Sequence, residues 1–206
     1  KIQSQVDFLE KNESVGVVYS GFENGDGSTE YPNDHVRGNV LKYALSFSMS
    51  PCTNSTMLIR SHVLDKVRPL NNYPGAQDNV MKIKLANISE FDFVNDLSVI
   101  RTRIEGSLGN SMDAVNGRYR ILDEFQHFYD NEPRWVEKKA KENTYWLEGQ
   151  VYQSESLWSK NAIISFGKSL IISPDPGIDN VEPLFASIFG KPGWVVGTKI
   201  KDLFRN

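Results

Sequence analysis

Cysteine is nearly absent: Cys52 is the single one in 206 residues. An intrachain disulfide is therefore excluded, and a reducing compartment such as the cytosol is expected. Apolar runs are short, none approaching the roughly 20 residues needed to cross a bilayer, and no secretory leader is legible. The expectation is a soluble protein, or one peripheral to a membrane. Basic charge is not in excess either, since 23 Lys and Arg stand against 26 Asp and Glu for a net charge of −3. That balance withholds the basic face expected of a nucleic-acid binder. The three histidines, His35, His62 and His127, are scattered without metal-ligand spacing, which argues against a zinc site. Ser20, Ser55 and Ser107 lack a recognisable His partner, so serine-type nucleophilic catalysis has no support. Gly25-Asp26-Gly27 is too short for a phosphate-cradling loop and reads as a turn.

What is present changes character along the chain. Ile2, Val6 and Leu9 recur at helical spacing, with only Lys1 ahead of them and no capping residue, so the chain is expected to be excised from something longer. Val15 to Tyr19 reads as a short buried strand, Glu23 to Asn33 as a loop, and Leu41 to Phe47 as weakly helical. Ser55 to Arg60 reads as a second strand, His62 to Val67 as a short helix, and Asp78 to Ala86 as a longer one. Phe91 to Val94 and Leu97 to Arg101 read as two strands broken at Asn95-Asp96. Beyond about Ser111 the strand patterns stop. Helical faces rich in Trp, Tyr and Phe take over, over Val115 to Tyr129, Trp135 to Tyr152 and Leu157 to Ile172, ended by Pro174-Asp175-Pro176-Gly177. The reading is an α/β part over 1–110 and an all-α part over 111–206.

Four segments, in order, carry a resemblance. They are Lys1 to Glu10, Val15 to Ser20, Asn54 to Arg60 followed by Val63 to Val67, and Gln77-Asp78 opening a helix before Phe91 to Val94. Together they resemble the acceptor-side half of family-2 glycosyltransferases of the GT-A fold. The resemblance implies a mixed sheet with helices over 1–110 and inverting transfer of a sugar from a nucleotide-sugar donor to a hydroxyl acceptor. Gln77-Asp78 looks like the family's Glu-Asp or Gln-Asp motif, whose Asp is the catalytic base. Asn54 and Ser55 are then expected to line the acceptor pocket beside Gln77. The resemblance also implies a divalent metal, Mn or Mg, whose ligands are expected mostly outside this chain, because no strand here ends in Asp-x-Asp. Val15 to Tyr19 is accordingly expected to leave a raw edge, covered by a second polypeptide or a symmetry-related copy. The segment from Arg101 to Ser107 lacks the His that many relatives carry. Arg101 and Arg103 stand there instead, as phosphate contacts or as solvated strand-end charges.

The residues carry part of this chemistry themselves. Inverting transfer needs a base opposite the leaving diphosphate, to take the proton of the acceptor hydroxyl. A free Asp, with a reference pKa of about 3.9, is a weak base toward an alcohol. It suffices as the anomeric centre gains oxocarbenium character and the hydroxyl grows acidic. Asp78 follows Pro74-Gly75 at a helix start, where a carboxylate also serves as an ordinary cap, and both roles stay open on sequence alone.

In the second part, Tyr145, Gly149 and Tyr152 stand at the spacing of the first helix of a tetratricopeptide repeat. Ala162, Phe166 and Pro174 match its second helix with one extra residue in the turn. A single repeat makes no solenoid, so one docked helical hairpin is expected. Val196, Ile200, Leu203 and Phe204 share a helical face that either caps this hairpin or rests on a membrane surface. The expectation is thus a cytoplasmic glycosyltransferase of cell-surface glycan or polysaccharide synthesis, either free in the cytoplasm or at the inner face of the membrane. Its partners are a nucleotide-sugar donor and a glycan or lipid-linked acceptor, with no nucleic acid. The alternative is a non-catalytic interaction module working through the helical hairpin.

Overall fold

A computed structural model describes residues 1–70, 72–102, 108–190, 192–193 and 196. The chain divides into two compact units, Lys1–Ser107 and Leu108–Asn206.

The first unit is a mixed α/β layer. It runs α1 (Ile2–Lys11), β1 (Val15–Asn24), β2 (Thr29–Glu30), α2 (Leu41–Leu45), β3 (Leu58–Ile59), α3 (Ser61–Val67), α4 (Gln77–Ile88) and β4 (Glu90–Arg101). β1 is central. Its residues Val15, Val17, Val18, Tyr19 and Phe22 are all buried, the continuous apolar run of a strand covered on both faces. Leu9 of α1 packs on Val15 and Val18, with Phe8, Leu58 and Val94 closing the cluster. Gly16 is required at its place, because a Cβ there would lie 2.0 Å from the Ser89 hydroxyl oxygen.

β1 pairs along one side with β4, in parallel, from Val15 opposite Glu90 to Asn24 opposite Arg101. Along its other side it pairs antiparallel with β3 at Val17 and Val18, and with β2 at Phe22 and Glu23. The expected raw edge at Val15 to Tyr19 is therefore not there. Two short strands from elsewhere in this chain take the position assigned to another polypeptide or a symmetry-related copy. The outer edge of β4 is partly closed by the segment around Gly38. There Gly38 and Phe91 exchange both backbone hydrogen bonds, at 2.7 and 3.0 Å, and Arg37 pairs with the buried Asp92 at 3.1 Å.

Three strand boundaries differ from the sequence reading. Of Ser55 to Arg60 only Leu58 and Ile59 are strand, residues 54–56 forming a turn. β1 runs on to Asn24, so the expected loop from Glu23 starts as strand and then returns through β2. Leu97 to Arg101 is no separate strand but the continuation of β4. Asn95 and Asp96 fall in an irregularity of the ladder, since Tyr19 opposes Phe93 while Gly21 opposes Leu97. Polar residues at a bulge look like a break when only the residue types are seen.

The second unit is helical throughout its described elements. A 3-10 turn (Leu108–Asn110) leads into α5 (Met112–Glu124), α6 (Gln126–Tyr129), α7 (Arg134–Glu155), α8 (Lys160–Ile172) and α9 (Ile178–Ile188). The helix expected over Val115 to Tyr129 is interrupted at Phe125, whose φ of −101° and ψ of 16° leave the helical range. α7 and α8 form a hairpin across Ser156–Ser159, running antiparallel. Ser165 reaches Glu148 at 2.8 Å, while Ser169 and Ser173 reach back to Glu142 at 3.1 and 3.0 Å. The close approach depends on Gly149, where a Cβ would meet the Phe166 ring at 2.7 Å. Buried Glu142 is the polar hub, accepting also from Lys139 and from Asn180 of α9, both at 2.7 Å. No helix among the described residues is long and apolar enough to cross a membrane. Of the carboxyl-terminal face anticipated above, Ile200, Leu203 and Phe204 lie outside the described residues.

Candidate functional site

In the first unit β1 and β4 run parallel, so their carboxyl ends open on the same side, where ligands of open α/β sheets commonly lie. A cleft of about 270 Å³ sits there, lined by Phe22 of β1, Val99 and Arg101 of β4, Thr53, Asn54 and Ser55 of the preceding loop, and Asp78 of α4.

The loop is held from beneath. Thr56 is fully buried, and its hydroxyl accepts the Thr53 backbone N–H at 2.8 Å while lying 3.0 Å from the carbonyls of Pro51 and Thr53. Gln5 of α1 donates its side-chain amide to the Thr56 carbonyl at 2.7 Å, and the Lys1 ammonium donates to the Ser55 carbonyl. A polar tripeptide is thereby fixed on a buried knot, with Asn54 and Ser55 exposed at the rim.

The helix arrives through a turn that needs glycine. Gly75 has φ of +69°, a value ordinary residues rarely adopt, and Ala76 follows as N-cap of α4 without a side-chain oxygen to offer. Asp78 is the second residue of the helix, and its carboxylate accepts no backbone N–H among the described residues. The capping role left open by the sequence is therefore not the one adopted. Its one recorded polar partner is Lys82, one turn on, whose ammonium stands 3.6 Å from Asp78 Oδ2. Lys82 is enclosed and also reaches the Cys52 carbonyl at 3.4 Å. Beside them the buried Cys52 thiol is pushed up to about 12. Burial is the main cause; the Lys82 charge opposes it and the Asp78 charge adds to it. Across the cleft the Arg101 guanidinium lies over the Phe22 ring, 5.2 Å from its centroid, which holds the cation at the rim.

Of the six residues singled out from sequence, Asn54, Ser55, Asp78 and Arg101 line this one cleft. Gln77 does not. Its side chain is exposed, and its amide donates to Asn72 at 3.4 Å. The first residue of a helix and the second point about 100° apart, so adjacent motif residues part company. Arg103 lies outside the described residues. Sequence reasoning missed Phe22, Thr53 and Val99 as lining residues, and Lys82 beneath them. The Asp78–Lys82 spacing of four was a readable signal. Phe22 was hidden by ending β1 too early.

The donor set does not suit a divalent cation. The cleft offers one carboxylate, already beside an ammonium and facing a guanidinium, where Mg or Mn takes several oxygen ligands. Among the described residues no group of three or more His, Cys, Asp or Glu side chains comes together. What the cleft does offer is a wall of hydrogen-bonding groups at Thr53, Asn54 and Ser55 and, on β4, the cation of Arg101. No family model matches the chain, and neither a curated protein nor a solved structure matches it.

Proposed function

We propose that the chain is the acceptor-side part of an inverting glycosyltransferase of the family-2 type, with Asp78 as the base. The observation that carries the reading is the convergence of Asn54, Ser55, Asp78 and Arg101 on one cleft at the carboxyl ends of two parallel strands. Asp78 stands at a helix start with one carboxylate oxygen that has no partner among the described residues, and a base needs such an oxygen to accept a proton. The acceptor hydroxyl donates to that oxygen. Its oxygen then bonds the anomeric carbon as the bond from that carbon to the diphosphate breaks, and the proton passes to Asp78. Asn54 and Ser55 hold neighbouring hydroxyls of the acceptor sugar, and Arg101 faces the negative charge gathering on the departing group. The donor diphosphate and the metal are assigned mainly to residues outside these 206, since this cleft offers no fitting ligand set.

The test has two arms. Calorimetry with uridine and guanosine diphosphate sugars plus manganese should give weak or no binding, and tight binding would reject the division of labour. Saturation-transfer NMR with a panel of free oligosaccharides should show sugar contacts that Ser55→Trp removes. A chain that binds no sugar in that panel, or binds equally after Ser55→Trp, loses the acceptor-site reading.

A second reading is favoured by one feature of the second unit. An apolar cavity of about 500 Å³ is lined by Phe185, Ala186, Phe189, Pro192, Gly193 and Val196, with Phe185 and Phe189 well exposed. Such a surface suits an interaction module. The readings separate on Phe189→Glu: under the module reading it abolishes partner binding, while sugar contacts at Ser55 stay as they were.

A further inference from the structure

Lys82 lies one turn beyond Asp78 on α4, and its side chain is nearly enclosed, 11% exposed against 40% for Asp78. A lysine on a helix surface ordinarily extends its head into water, and an ion pair at this spacing is then worth little. Here the head is turned inward, where an ammonium is costly unless oxygens surround it. Two oxygens are recorded within reach, Asp78 Oδ2 at 3.6 Å and the carbonyl of Cys52 at 3.4 Å. Cys52 immediately precedes Thr53, Asn54 and Ser55, the loop that forms the opposite rim of the cleft. One ammonium therefore touches both walls of the site. It engages Oδ2 of Asp78, and Oδ1 keeps no partner among the described residues. The other ionisable groups near the pair are Arg101 on β4 and the Cys52 thiol on the loop.

We infer that Lys82 is a positioning residue: it fixes Asp78 through Oδ2, leaves Oδ1 as the oxygen presented to a ligand, and ties the first turn of α4 to the Asn54–Ser55 loop. Its functional meaning rests on Asp78 being the base, whereas the coupling itself rests on the geometry alone. A carboxylate that swings freely spends most of its time misdirected, and reactions lose rate steeply when a catalytic group is displaced by about 1 Å.

The experiment is NMR on the uniformly labelled 206-residue chain, reading the three-bond couplings about χ1 of Asp78. Wild type should report a single rotamer. Lys82→Met keeps the length and volume and removes the charge, so a purely space-filling lysine predicts no change there. The inference predicts rotamer averaging in Lys82→Met and a single rotamer again in Lys82→Arg. Unchanged couplings in Lys82→Met overturn it. Should Lys82→Met fail to fold, Asp78→Asn gives the reciprocal measurement at the Lys82 ammonium. Its protons should exchange faster than in wild type if Asp78 holds them, and equal exchange overturns the coupling. The oligosaccharide panel is read in parallel on wild type and Ser55→Trp. A chain that binds no sugar in that panel, alongside a rotamer that loosens in Lys82→Met, would retire the acceptor-site reading while leaving the coupling in place.

Discussion

The Cys52 thiol offers a measurement of how dry the floor of the cleft is. Cys52 is 1% exposed, and burial pushes its thiol from an ordinary 9.0 up to about 12. The folded chain therefore prefers the neutral thiol more strongly than the unfolded chain does. Because the folded value is the higher one, the associated stability is intact below pH 9 and is lost as pH rises from there toward 12. The slope across that window is about 1.4 kcal/mol per pH unit, so close to 1.4 kcal/mol should be gone by pH 10. Buried Tyr19, Tyr119 and Tyr129 are also raised by burial from 10.0 and each lose about 0.4 kcal/mol by pH 10, a loss common to wild type and a Cys52 variant that cancels in their difference. The assay is urea unfolding of wild type and Cys52→Ala at pH 8 and pH 10. Alanine leaves a small cavity and lowers stability by about 1 kcal/mol at both pH values, an offset that cancels in the difference. Wild type should then lose about 1.4 kcal/mol more than the variant between the two. Trp135, Trp146, Trp158 and Trp194 all lie in the second unit, so tryptophan fluorescence supplies a control transition that Cys52→Ala should not move. The first unit is followed by far-ultraviolet circular dichroism. Equal losses in the two proteins would refute the claim of a dry thiol.

Gly149→Ala should destabilise the second unit by about 1 to 3 kcal/mol in a fluorescence-detected urea titration, because the new Cβ lies 2.7 Å from the Phe166 ring. Glu142→Ala should cost about 3 kcal/mol in the same titration, since Lys139, Ser173 and Asn180 all lose their acceptor at a buried position. Thr56→Val should cost the first unit about 1 to 3 kcal/mol by circular dichroism and broaden the NMR signals of Asn54 and Ser55, whose loop it anchors.

The parts of this fold that could be read from the sequence are those fixed by local pattern. The helical period around Gly149 and Phe166 foretold a close-packed hairpin, and small against aromatic is how α7 and α8 meet. The change of period near residue 110 and the division between the two units fall close together. Non-local pairing was not legible. Val15 to Tyr19 and Ser55 to Arg60 each read as a strand, but nothing in either says that Leu58 and Ile59 will lie alongside Val17 and Val18, because partner and register are not carried by the period of one segment. The same limit applied to the site. Asp78, Asn54, Ser55 and Arg101 were reached through a resemblance of motifs, and their convergence is a property of the folded sheet. Gln77 shows the converse, since neighbours in a motif leave a helix in different directions.

The start of α4 departs from the local rule that a helix opens on a capping oxygen. Ala76 supplies none, and the nearby Asp78 does not bend back to serve, although a side-chain cap is worth about 1 kcal/mol. Such a start is common in this chain: α1, α2, α3, α6 and α7 also open without a side-chain cap, whereas α5 and α8 are capped by Ser111 and Ser159, each accepting from the N–H three residues on. At α4 the first carboxylate is engaged sideways by Lys82, whose side chain is nearly enclosed, and it lies along the cleft wall. A cap and an enclosed ammonium compete for the same carboxylate, and the ammonium prevails because leaving it unpaired costs several kcal/mol against about one for the missing cap. The helix start is thus less stable than it would be with its cap in place, in a position where the uncommitted carboxylate oxygen borders the cleft.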